Sequence, residues 1–132
     1  MWYGNDAVYF ACTNGGSNQS GQIWKYRPSV NEGADDQEPG TLELFIEPND
    51  SAIVKACDNL TVAPWGDLVL CEDQGGNDRL IMVSPDGNCS VLAKNSYSES
   101  ELAGVTFSPD GSTLFVNIQI DGLTLAITGP WA

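Results

Sequence analysis

Short runs of alternating apolar and polar residues, separated by turn residues, occupy nearly the whole chain. Val8-Tyr9-Phe10-Ala11-Cys12, Gln22-Ile23-Trp24-Lys25-Tyr26, Leu42-Glu43-Leu44-Phe45-Ile46 and Leu60-Thr61-Val62-Ala63 are rich in β-branched and aromatic residues, the signature of half-buried strands. Asp67 to Cys71, Leu80 to Ser84, Cys89 to Ala93, Val105 to Ser108, Thr113 to Asn117 and Leu123 to Thr128 read the same way. Asn14-Gly15-Gly16, Pro64-Trp65-Gly66-Asp67, Pro85-Asp86-Gly87 and Pro109-Asp110-Gly111 are turn signals, in which proline presets φ and glycine takes the positive-φ position. No stretch of ten or more residues carries the 3.6-residue period of an amphipathic helix. The pattern predicts an all-β chain.

A repeat sharpens that prediction. Leu60 to Leu70 and Val105 to Phe115 share a plan of strand, Pro-x-Gly turn and strand, and Pro64 and Pro109 lie 45 residues apart. That spacing is one blade of a β-propeller, whose repeat runs roughly 40–50 residues. Pro85-Asp86-Gly87 falls near the midpoint, where the second hairpin of a four-stranded blade belongs. Ten candidate strands make about two and a half blades, while closed propellers need roughly four to eight. The expectation is a partial propeller of about two to three four-stranded blades, residues 1–132 forming one end of a larger β-propeller domain. The remaining blades then come from a longer protein or from self-association. A β-sandwich with a coincidental repeat is the alternative.

Composition narrows the function. Eighteen acidic against five basic residues give a net charge of −13, which repels nucleic-acid phosphates and anionic bilayers alike. No apolar run is long enough to insert into a membrane, and the opening Met1-Trp2-Tyr3-Gly4-Asn5-Asp6 has no signal-peptide character. Histidine is absent, which removes the commonest general base and metal ligand. The four cysteines, Cys12, Cys57, Cys71 and Cys89, lack the CxxC spacing of a zinc or redox site; they allow three disulfide connectivities if the protein is exported, and otherwise read as small apolar residues in or near strands. Glu32, Asp35, Asp36 and Glu38 crowd a loop at about 28–40, expected to be solvated.

The densest polar constellation is Cys57-Asp58-Asn59-Leu60 with Leu70-Cys71-Glu72-Asp73, across one hairpin. If the two strands pair around the Pro64 turn, Asp58, Asn59, Glu72 and Asp73 emerge together at the opposite end. Glu101 precedes the equivalent strand one repeat later, and converging blades would bring it to the same channel. Such a set of hard oxygen donors suits Ca²⁺, which takes about six to eight oxygens. Asp86 and Asp110 sit inside Pro-Asp-Gly turns and are expected to serve the turn. No Gly-x-Ser-x-Gly elbow and no phosphate-cradling loop occurs, and no catalytic nucleophile is assigned.

Asp58-Asn59-Leu60-Thr61-Val62, Gly66 to Asp73, Glu101 to Gly111, Leu114 to Gln119 and Ala126 to Trp131 closely resemble the C-terminal part of PhoX-type alkaline phosphatases. Val8 to Gly16 with Gly21 to Trp24 also resembles that family. The resemblance implies a β-propeller phosphatase, periplasmic or extracellular, that hydrolyses phosphomonoesters with calcium and iron. It implies Glu72 and Glu101 as metal ligands, with Asp58, Asn59 and Asp73 as weaker candidates. The iron ligand of the family is a cysteine in an earlier blade, echoed here only once, at Pro64 to Asp73, so Cys71 is expected to pack and Fe³⁺ to need a cysteine outside this chain. The alternatives are a non-catalytic calcium-binding propeller module and a calcium-dependent lactonase similar to gluconolactonase or regucalcin.

Overall fold

A computed structural model describes residues 1–33 and 38–131. Asp35 and Asp36 of the expected acidic loop fall outside the described residues. Eleven strands follow in chain order: β1 (Trp2–Gly4), β2 (Ala7–Cys12), β3 (Gln22–Arg27), β4 (Thr41–Ile46), β5 (Cys57–Val62), β6 (Leu68–Glu72), β7 (Arg79–Val83), β8 (Cys89–Lys94), β9 (Leu102–Phe107), β10 (Thr113–Ile118) and β11 (Leu123–Thr128). No helix occurs among the described residues. They form three antiparallel meanders: a first sheet β1-β2-β3-β4, a second β5-β6-β7-β8 and a third β9-β10-β11. The arrangement is consistent with part of a propeller that is not closed.

The sequence missed β1 and placed the starts of β5 and β9 too late. Asn5 and Asp6, both at positive φ, make the tight turn between β1 and β2, a turn type that asparagine and aspartate tolerate. β5 begins at Cys57 because a bulge at Asp58 carries the pairing past it, Cys57 facing Glu72 and Asn59 facing Cys71. A second bulge in β9 sets Gly104 and Val105 between the pairs Ala103–Asn117 and Thr106–Phe115. Asp58, Asn59 and Glu72 therefore lie within strands rather than beyond their ends.

The three Pro-x-Gly turns share one construction. The amides of Gly66, Gly87 and Gly111 donate to the carbonyls of Ala63, Ser84 and Ser108 at 2.8–2.9 Å, and each glycine takes a positive φ. This is the type I turn with a left-handed fourth residue that closes hairpins with a bulge. Asp110 accepts hydrogen bonds from Ser108 Oγ, Ser112 N and Ser112 Oγ at 2.6–3.1 Å, so its carboxylate serves the turn as expected.

The second sheet is covered on both faces, which explains the unbroken apolar run of β6. Leu68 and Leu70 join Ala7, Tyr9, Ile23 and Leu60 in a core against the first sheet. Val69 and Cys71 join Leu80, Leu102, Val105, Leu114, Val116 and Ile118 in a core against the third. The turn ends of the sheets interlock: Asn5 Nδ2 donates to Gly66 O at 2.8 Å, and Trp65, Phe107 and Trp131 pack with ring centroids 5.3–5.9 Å apart. That end is closed by side chains. The opposite end of the second and third sheets carries the polar constellation.

Candidate metal centre

Asp58 reaches this mouth from the bulge in β5, Asp73 from the residue after β6, and Glu101 from the residue before β9. One carboxylate oxygen from each lies within 4.8 Å of the others. The backbone around them is pinned. Asp73 N donates to Ala56 O at 3.0 Å, with Ala56 itself in the left-handed region at φ 48°, and Gln119 N donates to Glu101 O at 3.1 Å. The β9 bulge leaves the Val105 amide without a strand partner, and Asn59 Oδ1 accepts from it at 3.2 Å. Asn59 thus fastens the two inner strands to each other, with its oxygen occupied.

Glu72 stands apart from the three. It is fully buried and paired with Arg79, whose Nε and Nη2 donate to its two oxygens at 2.7 and 2.6 Å. Lys55 N also donates to Glu72 Oε1 at 2.9 Å. Arg79 in turn donates to Ala52 O at 2.9 Å and Ser51 O at 3.3 Å, tying the 51–55 segment to the mouth. Of the five residues expected from sequence, the structure brings together Asp58, Asp73 and Glu101. Glu72 and Asn59 are held beside that group by partners of their own.

The electrostatics reflect crowding. The Glu101 carboxyl is pushed up to about 7, first by its removal from water, then by its hydrogen bond with Asp73 and by repulsion from Asp73, Asp58 and Asp78. Asp58 is raised by desolvation and by Asp73. Sequence reading passed over Asp78, which is fully buried; its Oδ1 accepts from Gln74 N at 3.2 Å and its Oδ2 has no hydrogen-bond partner. Desolvation raises its pKa as well. No lysine or arginine forms an ion pair with Asp58, Asp73 or Glu101 among the described residues.

Comparison with known proteins identifies the chain's relatives. A family model described as alkaline phosphatase PhoX matches residues 1–122. The chain belongs to the PhoX alkaline phosphatase family. No curated protein and no solved structure matches it. The PhoX match covers the first two sheets, the acidic mouth, β9 and β10, and ends before β11 and Trp131.

The cysteines make a poor thiolate centre for a PhoX metal. All four are free. Cys71 is buried in the core between the second and third sheets, and burial pushes its thiol up to about 12. Cys57 is raised to the same level for the same first cause. The oxygen donors, by contrast, are the chemistry that suits a hard cation: three crowded carboxylates with no ion pair to lysine or arginine among the described residues.

Proposed function

We propose that this chain is the C-terminal portion of a PhoX propeller and supplies cation-holding residues to a centre that hydrolyses phosphomonoesters. The convergence of Asp58, Asp73 and Glu101 at one mouth, in a chain of the PhoX family, carries this reading. Ca²⁺ is the cation the donor set suits first, because all three ligands are hard carboxylate oxygens. Fe³⁺, implied by the earlier resemblance, finds no thiolate here, since Cys71 is packed among apolar side chains. When bound, a divalent cation would polarise phosphoryl oxygens and lower the pKa of a coordinated nucleophile.

The chain's own residues do the positioning. Asp58 is aimed by its bulge, Asp73 by the hydrogen bond its amide donates to the Ala56 carbonyl, and Glu101 by the hydrogen bond its carbonyl accepts from the Gln119 amide. Glu72 and Arg79 keep the 51–55 segment folded against the site, and Asn59 fixes the spacing between Asp58 and Glu101 by holding β9 to β5. Small phosphomonoesters are the substrate class, and export to the periplasm or beyond goes with the family reading.

Calorimetric titration with Ca²⁺ tests the assignment. Saturable binding is expected in the native chain, lost in Glu101→Gln and in Asp58→Asn. Inorganic phosphate is expected to bind the Ca²⁺-loaded chain and not the chain in chelator. Absence of Ca²⁺ binding, or binding unchanged in both variants, contradicts the reading.

A further inference from the structure

We propose that Asp78 is a fourth carboxylate of the cation centre, set behind Asp73 and Glu101, with its unpaired Oδ2 receiving the hydration water of the bound ion. This rests on the cation reading above and extends it to a residue outside the group of three. The observation behind it is a buried oxygen that no donor among the described residues satisfies.

Asp78 closes the loop between β6 and β7. Gly75 and Gly76 take positive φ, 68° and 97°, and turn the chain back on itself. Gln74 N then donates to Asp78 Oδ1 at 3.2 Å, and Asp78 N to Gly76 O at 2.7 Å. One carboxylate oxygen is therefore fixed beside Gln74, the residue that follows Asp73. On its other side Asp78 O accepts from Asn95 N at 2.8 Å, and Asn95 Nδ2 donates to Ser100 O at 2.8 Å, one residue before Glu101. Asn95 and Ser100 are themselves buried. A short chain of hydrogen bonds thus ties Asp78 to the backbone next to two of the three grouped carboxylates.

Depth separates Asp78 from that group. Asp58 and Asp73 are exposed and Glu101 is half-buried, whereas Asp78 is fully buried. Buried carboxylate oxygens are ordinarily paired, because an unpaired one loses its hydration without return. The neighbouring cations do not serve Asp78: Arg79 is spent on Glu72 and on the carbonyls of Ala52 and Ser51, and Lys55 forms no ion pair among the described residues. Further carboxylates lie close by instead. Desolvation and then repulsion from Glu72 and Asp73 raise the Asp78 carboxyl, offset in part by the bond from Gln74 N and by Lys55, and Asp78 adds in turn to the rise of Glu101.

A bound cation answers both the unpaired oxygen and the crowding. Ca²⁺ takes about six to eight oxygens, more than three carboxylates supply singly, and water fills the remaining places. Such water has hydrogens to donate, and a charged acceptor on the protein side of the ion receives them well. Asp78 is not among the residues whose oxygens lie within 4.8 Å of one another, which fits this outer place rather than direct ligation.

Calorimetric titration of the native chain and of Asp78→Asn with Ca²⁺ and with La³⁺, beside melting curves in chelator, tests the assignment. Asparagine keeps an oxygen for Gln74 N and gives up the charge. Ca²⁺ affinity should fall about 10–100-fold in the variant. The loss should be larger for La³⁺, because Coulomb attraction scales with the charge of the ion, while the melting temperature in chelator should be no lower than that of the native chain. Where Asp78→Asn does not melt cooperatively, Asp78→Ser, whose hydroxyl can also accept from Gln74 N, takes its place. Unchanged affinity in the variant of a chain that does bind Ca²⁺ overturns the role of Asp78 and leaves the group of three standing. Equal losses for the two ions, together with a lower melt in chelator, overturn it too, since Asp78 then only holds its loop. A native chain that binds neither ion fails the cation reading itself, and the role of Asp78 with it.

Discussion

Arg79 and Glu72 grip each other through two short hydrogen bonds with the carboxylate fully buried, so removing either partner strands a charge away from water. Arg79→Met should lower unfolding free energy by about 3–5 kcal/mol, read from urea denaturation, whereas Glu72→Gln should cost less because the amide oxygen still accepts from Lys55. Equal losses in the two variants would contradict that account. Asp110 gives a pH signature. Its pKa is lowered from the ordinary 3.8 to about 2 by Ser108 and Ser112, so its stabilisation is whole above 3.8 and fades as pH falls toward 2. Asp110→Asn should melt lower than the native chain at neutral pH and alike at pH near 2; a gap that persists in acid would sink the assignment. At this scale the sequence revealed the turn role of Asp110, because Pro-Asp-Gly is a local signal. It could not reveal that Glu72 is paired, because Arg79 lies across a hairpin and no local pattern ties the two.

Among the elements, the strands were legible because alternation and Pro-x-Gly turns are local, and the repeat between the second and third sheets was visible in two of those turns. The two bulges were not. Each inserts one residue into a strand that reads as regular: the bulge in β5 carries Asp58, and the bulge in β9 frees the Val105 amide for Asn59. Turn glycines test how tightly the sheets interlock. Gly111 has φ +73° and a Cβ there would come 2.6 Å from Pro64 Cγ, while Gly122 has φ +66° with open space around it. Gly122→Ala should cost about 1–2 kcal/mol for the left-handed backbone. Gly111→Ala should cost clearly more, the excess measuring the contact between the turns of the second and third sheets. Matching melting temperatures for the two variants would mean that this contact is soft.

For the whole molecule, fold class was readable from sequence and the open ends of the stack followed from strand count against ring size. The grouping of Asp58, Asp73 and Glu101 across two sheets was legible only in outline, since it depends on how β5 and β9 pack and on the Asn59–Val105 bond. Three carboxylates in one mouth of a chain at −13 repel one another, and a bound cation would relieve that repulsion. The direct measurement is the melting temperature of the native chain in Ca²⁺ and in chelator, beside Glu101→Gln. At free Ca²⁺ about a hundredfold above its dissociation constant, binding to the folded state adds about 2.7 kcal/mol, a shift of several degrees that chelator reverses and Glu101→Gln abolishes. A melting temperature indifferent to Ca²⁺ would contradict the metal centre at the heart of this account.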